Sequence, residues 1–208
     1  MEKILENSSQ VAFENEKLIA NILHDIKSPL YSIKIGLKPH LNSELNIDIF
    51  ETISNTLDYI ENFLINYSFK SGKFEEKIES CDIQKIICEK VKEYKYIFLN
   101  KHINIDVLCT SKDCRTDNIC IFLSSIIGNL VSNIAFHAKE KTDATIEIKK
   151  KENYIIAEFK NYFKENNDNF NLGLGFCENL AKCCKIELKY QKTQNEVRVY
   201  LKIPNLNY

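Results

Sequence analysis

Residues 23–30 read Leu-His-Asp-Ile-Lys-Ser-Pro-Leu, within a segment whose apolar residues step by three or four. That spacing predicts a helix with one apolar row, formed by Ile19, Ile22, Ile26, Leu30, Ile33 and Leu37. His24 falls between two members of the row, so its side chain is predicted to point towards solvent, with Ser28 one turn away on the same side. An exposed neutral imidazole can attack phosphorus, and the adjacent carboxylate of Asp25 can polarise it or accept its proton. The segment is therefore a candidate for phosphate chemistry.

A second helix is predicted after a break at Lys38-Pro39-His40, where proline cannot continue the hydrogen-bond ladder. Ser43 is its predicted cap. Its apolar row alternates steps of three and four, at Phe50, Ile53, Leu57, Ile60, Leu64 and Tyr67. The two helices should form a hairpin with an apolar seam. Because one hairpin cannot enclose a core, we expect a homodimer with a four-helix bundle; the alternative is that the second domain covers the seam within one chain.

The pattern changes near Lys70-Ser71-Gly72-Lys73, which predicts a linker and divides the chain into domains 1–72 and 73–208. Beyond the linker, segments with the period of a strand alternate with segments with the period of a helix. Strands are predicted at 77–81, 102–108, 145–149, 154–159, 186–191 and 196–203, and helices at 82–94, 119–138 and 174–184. This order favours an α/β sandwich of one mixed sheet covered by helices. The fold class predicted for the whole chain is therefore a helical hairpin followed by an α/β domain.

The net charge, the length of the apolar runs and the first residues limit the partners and the cellular compartment that we expect. The formal net charge of −1 gives no electrostatic reason to expect binding to nucleic acid or to an anionic membrane. No run approaches the roughly 18–20 apolar residues that cross a bilayer. Residues 1–6 have neither the basic start nor the apolar core of a signal peptide. A cytoplasmic protein without a membrane span is predicted.

The chain has eight cysteines, which could indicate disulfides or a metal site. They form no CxxC pair and have no histidine at zinc-finger spacing. In a reducing cytosol, cysteines mostly act as small buried hydrophobes, and we expect that role here. Cys183-Cys184 is the only pair for which the sequence suggests oxidation.

Residues 24–30 resemble the H-box of the two-component sensor histidine kinases, which reads His-Glu/Asp-x-Arg/Lys-x-Pro-Leu, and they match every defining position. In that family the histidine is phosphorylated from ATP and passes the phosphoryl group to an aspartate of a response regulator. The acidic neighbour is the base for the kinase reaction, and a Thr or Asn four residues after the histidine orients water to dephosphorylate the regulator. The resemblance thus implies catalytic roles for His24, Asp25 and Ser28, and a cognate response regulator as partner.

Two further motifs follow in that family's order. Residues 129–138 resemble the N-box, and its two asparagines, here Asn129 and Asn133, lie one turn apart on a helix where both could reach a phosphate or Mg²⁺. Residues 171–176, with Gly173 and Gly175 before a helix, resemble the Gly-x-Gly-Leu box that closes over nucleotide phosphates. The resemblance covers about residues 8–204. It implies a dimerisation and histidine-phosphotransfer hairpin, then an ATP-binding domain of the Bergerat type. We expect no sensor domain or membrane anchor before them.

The pattern departs from that family in the nucleotide site. Asn161 stands where the family has an aspartate that accepts a hydrogen bond from adenine, and Phe163 stands where the first glycine of that Asp-x-Gly-x-Gly box would be. Phe136 replaces the usual N-box lysine, and the chain between Asn161 and Gly173 is too short for a full ATP lid. Losing a hydrogen bond to a charged acceptor, about 1.5–3 kcal/mol, predicts roughly 10- to 100-fold weaker binding. Mg-ATP or ADP is therefore expected to bind weakly, with Asn133 reaching Mg²⁺ through the nucleotide.

These features favour a histidine-kinase-like protein that acts on its response regulator mainly as a phosphatase, with weak or absent autokinase activity. Three alternatives remain open: a histidine phosphotransferase that relays phosphate through His24, a soluble autokinase with a divergent adenine pocket, and a non-catalytic protein that sequesters a regulator. The presence of His24, Asp25 and Ser28 together favours an active site over sequestration.

Overall fold

A computed structural model describes residues 2–41, 43–70, 77–163 and 174–206 of the chain. The chain divides into two compact units, Met1–Glu75 and Glu76–Tyr208, which we call the helical unit and the sheet unit. The domain boundary predicted between Gly72 and Lys73 lies in segment 71–76, outside the described residues.

The helical unit is the predicted hairpin. Helix α1 spans Glu2–Leu37, a single 3₁₀ turn follows at Lys38–His40, and α2 spans Glu44–Lys70. The break falls at the proline, as predicted. Ser43 caps α2, because its Oγ accepts a hydrogen bond from the amide of Asn46 at 3.3 Å. The side-chain amide of Asn46 donates in turn to the carbonyl of His40 at 2.6 Å, which fixes the connection between the helices.

The seam of the hairpin differs from the prediction on the α1 side. The apolar row of α2 is buried or half-buried, as expected. On α1, however, Ile19, Ile22, Ile26 and Ile33 are 42–50% exposed. We call these four residues the isoleucine row. They do not form the intrachain seam, so that part of the prediction is wrong.

A neighbouring row of α1 faces α2 instead. Ala20 and Lys34 are buried in this row. The Nζ of Lys27 lies 2.9 Å from Oε1 of Glu61 on α2, and the Nζ of Lys34 lies 5.4 Å from the ring centroid of Phe50. Lysine stems cover apolar surface while their ammonium groups find partners, so this row packs against α2 although it is less apolar. The isoleucine row is left on the adjacent side of the helix.

The sheet unit alternates strands and helices. Its elements are β1 (Glu79–Asp82), α3 (Ile83–Glu93), α4 (Lys95–Asn100), β2 (Asn104–Cys109), β3 (Arg115–Asn118), α5 (Cys120–His137), β4 (Asp143–Lys150), β5 (Tyr154–Tyr162), α6 (Leu174–Cys183), β6 (Glu187–Lys192) and β7 (Glu196–Pro204). All nine predicted elements are present within a few residues of their predicted limits. Asp82 caps α3 by accepting a hydrogen bond from the amide of Lys85 at 3.0 Å.

The main sheet has the order β2-β4-β5-β7-β6, in which β2 and β4 are parallel and the other neighbours are antiparallel. The prediction of one mixed sheet needs a correction, because β1 and β3 form a separate two-stranded antiparallel sheet. Alternate residues of β4, β5 and β7 are buried. They form the core together with much of α5, so the C-terminal ends of α5 and β5 are held on rigid elements.

Helix α5 corrects the expectation that no segment is long enough to cross a bilayer. By length and composition alone, its 18 residues would suffice. Most of the helix is buried inside the sheet unit, which is the environment of a core helix in a globular domain.

Candidate functional site

His24 lies on the solvent side of α1, as the sequence predicted. Its side chain is 80% exposed, and its Nδ1 lies 3.6 Å from Oδ1 of Asp25, which is 86% exposed. That distance is longer than a hydrogen bond. Asp25 lies on the Nδ1 side of the ring, so Nε2 is the nitrogen that an incoming phosphoryl group can reach.

Ser28 is exposed one turn beyond His24. Its backbone carbonyl accepts a hydrogen bond from the hydroxyl of Ser32 at 3.2 Å. Pro29 lies inside α1 and has no amide hydrogen to donate to the carbonyl of Asp25, so the backbone beside the histidine is less tightly bonded. An α-helix turns by 100° per residue, which gives the position of each side chain around α1. His24 and Ser28 lie on one side of the row that faces α2. The isoleucine row lies on the opposite side of that row. The face that carries His24 and the isoleucine row are therefore separate surfaces of one helix.

The two N-box asparagines of the sheet unit differ in environment. Asn129 is buried, and its Nδ2 donates to the carbonyl of Ser125 one turn earlier at 3.2 Å. Asn133 is half-buried. The amide of Asn129 is thus already used by its own helix, which is the plain structural role of an asparagine in an apolar helix.

Asn161 comes near the end of β5 with its side chain on the buried side of the strand. Its Nδ2 donates to the carbonyl of Tyr162 at 3.2 Å. An aspartate at this position could not make that bond, since an ionised carboxylate is an acceptor only. The amide of Asn161 therefore serves the local backbone.

The ends of α5 and β5 are joined directly. Ala138 pairs with Phe163 in a β-bridge, and the amide of Lys139 donates to the carbonyl of Tyr162 at 2.8 Å. Phe163 is buried, and the Nζ of Lys192 lies 4.8 Å from its ring centroid. The structure thus brings the region of Asn133 towards that of Asn161, with an aromatic ring where the resemblance expects a glycine.

The glycine motif is only partly described. Gly173 lies in segment 164–173, outside the described residues. Gly175 lies in the first turn of α6. The described residues contain no group of three or more His, Cys, Asp or Glu that could hold a metal ion. The amide oxygen of Asn133 can hold a cation only as one of several ligands that a nucleotide and water would complete.

Sequence comparison gives no match to this chain, either among protein-family models or among curated proteins. Solved structures do match. The Acinetobacter baumannii histidine kinase AdeS matches over 88% of this chain and 98% of its own, with a TM-score of 0.61 and 13% identity. Histidine kinase ThkA, in complex with response regulator protein TrrA, matches over 96% of this chain and 64% of its own, with a TM-score of 0.56 and 15% identity. The chain has a histidine kinase fold.

Full-length ShkA in complex with AMPPNP is similar over 90% of this chain and 45% of its own, with a TM-score of 0.63 and 11% identity. His24 is on the first helix of the hairpin, and the two asparagines are on the core helix of the sheet unit.

Two lysines near the candidate residues of this histidine kinase fold were missed by sequence reasoning. Lys27 ties the turn of α1 that carries His24 to Glu61 of α2. Lys101 donates from Nζ to the carbonyl of Phe136 at 2.5 Å, at the end of α5. Burial, and then the charge of Lys101, hold the pKa of His137 below its usual value. Both partners are more than thirty residues away along the chain, and the sequence carries no signal for such pairs.

Proposed function

We propose that the chain is a cytoplasmic two-component signalling protein that acts on a response regulator, mainly as a phosphatase. The observation that carries this proposal is the exposed face of α1, where His24, Asp25 and Ser28 all point away from the hairpin seam. An aspartyl phosphate brought to this face would meet an imidazole, a carboxylate and a hydroxyl within one helical turn. Such an acyl phosphate is already activated, so the groups need only position water in line with the phosphorus.

The sheet unit supports phosphatase over kinase activity. A kinase must hold ATP firmly enough to transfer its γ-phosphoryl group. Here the amide of Asn161 is bonded to the backbone, Phe163 is buried beside it, and the amide of Asn129 is bonded to its own helix. These three side chains are committed to the fold of the sheet unit.

The isoleucine row supports a homodimer. Four half-exposed isoleucines along one side of a helix form an apolar strip that water solvates poorly. A second hairpin would cover this strip in a four-helix bundle, and the face with His24 would stay accessible because it lies on the other side of the row that contacts α2.

The proposal is tested by following labelled phosphate. The source organism's receiver domains are phosphorylated with labelled acetyl phosphate and incubated with the full chain, with and without Mg-ATP. We expect inorganic phosphate to be released from at least one receiver domain faster than it is released without the chain, and no label to remain on the chain. Stable label on His24 would favour the phosphotransferase alternative, and label transferred from ATP would favour the autokinase.

Nucleotide binding should be weak. We expect titration calorimetry with Mg-ATP to give a Kd no tighter than about 100 μM, because contacts to the adenine and to the phosphates are missing. Binding in the low micromolar range would contradict this prediction and would restore the autokinase as the leading hypothesis.

A further inference from the structure

The sheet unit places four cysteines in two pairs. The Sγ atoms of Cys81 and Cys120 are bonded, and those of Cys109 and Cys114 are also in contact. Neither pair is the adjacent Cys183-Cys184 to which the sequence pointed. Adjacent residues in one chain rarely direct their side chains at each other, whereas the first pair is brought together by packing across 39 positions.

The distance between the Cα atoms distinguishes the two cysteine pairs. The Cα atoms of Cys81 and Cys120 lie 5.5 Å apart, inside the range of relaxed disulfides. The Cα atoms of Cys109 and Cys114 lie 7.7 Å apart, beyond the distance that a disulfide spans without backbone movement. The first pair is therefore held ready for a covalent bond by the fold, and the second is not.

Cys81 and Cys120 both lie in regular secondary structure. Cys81 lies in β1, where it pairs in register with Thr116 of β3, and its side chain is 1% exposed. Cys120 is the first residue of α5 and is half-buried. One sulfur of the pair is thus reachable, and the other is enclosed behind it.

We propose that Cys81 and Cys120 form a reversible oxidation site that exchanges with low-molecular-weight disulfides such as oxidised glutathione. The Cys120 thiolate attacks one sulfur of glutathione disulfide, forms a mixed disulfide and expels the first glutathione thiolate. Cys81 then loses its proton and attacks the Cys120 sulfur, which expels the second. Two protein thiols are oxidised, one glutathione disulfide is reduced, and the two thiol protons end on the two glutathione molecules.

The bond ties the first strand of the sheet unit to the helix that carries Asn129 and Asn133. Residues 82–119, which include α3, α4, β2 and β3, lie inside the closed loop. Closing a loop of that length removes conformational freedom from the unfolded chain. Oxidation should therefore stabilise the sheet unit. This site does not depend on the proposed phosphatase activity, and its test involves no phosphoryl transfer.

The test uses the full chain, equilibrated with either reduced or oxidised glutathione, then alkylated and digested for mass spectrometry. We expect a peptide pair joined through Cys81 and Cys120 in the oxidised sample, while Cys109 and Cys114 are recovered alkylated. Thermal unfolding of the sheet unit should occur about 10 °C higher in the oxidised sample, the size expected from the loop length.

Cys120→Ser should abolish this shift, and Cys88→Ser, which changes a half-buried cysteine outside both pairs, should preserve it. Recovery of alkylated Cys81 and Cys120 after oxidation would overturn the proposal, as would a bond between Cys109 and Cys114 in their place. An equal unfolding temperature in the two samples would overturn the stabilising role. The peptide mapping of the unmodified chain remains decisive even if a serine variant folds poorly.

Discussion

Ser28→Ala lowers the rate of phosphate release from a phosphorylated receiver domain by about 100-fold, if the protein is a phosphatase that uses Ser28 to position water. The reason is geometric, since attack on an acyl phosphate needs a water molecule in line with the leaving oxygen. Ser28 presents an exposed hydroxyl one turn from His24, and alanine leaves that water without its donor or acceptor. The measurement is the initial rate of label loss from the receiver domain.

Ser32→Ala is the matched control for this variant. Ser32 is exposed on the same helix, and its hydroxyl donates to the backbone carbonyl of Ser28, so its loss should change the rate less than about twofold. The variant His24→Gln also distinguishes the phosphatase from the phosphotransferase. Relay through a phosphohistidine must vanish completely, whereas dephosphorylation should fall only partly because an amide can still bond water. An unchanged rate for Ser28→Ala, together with label on His24, would replace the phosphatase by the phosphotransferase.

Ile33→Asp should weaken the proposed homodimer by roughly 1000-fold, because burying unpaired carboxylates in the interface should cost at least about 4 kcal/mol in total. Ile33 is chosen from the isoleucine row because it is half-exposed within one chain and lies nine residues from His24. The hairpin itself should therefore fold normally. Sedimentation analysis should give twice the chain mass for the unmodified protein and the single-chain mass for the variant.

Ser32→Asp is the control for the dimer, since it adds the same charge at an exposed neighbouring position outside the isoleucine row. This variant should remain a dimer, and circular dichroism should show equal helix content in all three proteins. A single-chain mass for the unmodified protein at micromolar concentration would contradict the proposed four-helix bundle. A dimeric Ile33→Asp variant would show that another surface joins the protomers.

Local signals were strong enough to predict most of the fold. Pro39 ends the first helix and Ser43 begins the second, each through chemistry contained in a few neighbouring residues. Helix α4 and strand β3 were missed. Strand β3 has four polar residues, so it shows no apolar alternation, and helix α4 is only six residues long. So short a segment contains too few turns or alternations to show a period.

The errors in the candidate site come from contacts that no local pattern records. The seam of the hairpin was assigned to the most apolar row of α1, but the row with Lys27 and Lys34 faces α2, because Glu61 and Phe50 supply their partners. The pairing of Cys81 with Cys120 likewise depends on how β1 packs beside the start of α5. The exposure of His24 was predictable, because it needs only the direction of one side chain on one helix.

The two lysine contacts of the hairpin also restrict how α1 can slide along α2. A displacement by one helical turn, about 5.4 Å, would separate Lys27 from Glu61 and Lys34 from the Phe50 ring at the same time. Purely apolar seams tolerate such slippage, since one isoleucine or leucine can replace another along the groove. The contacts of Lys27 and Lys34 therefore favour this register, and with it the height along the hairpin at which His24 is presented.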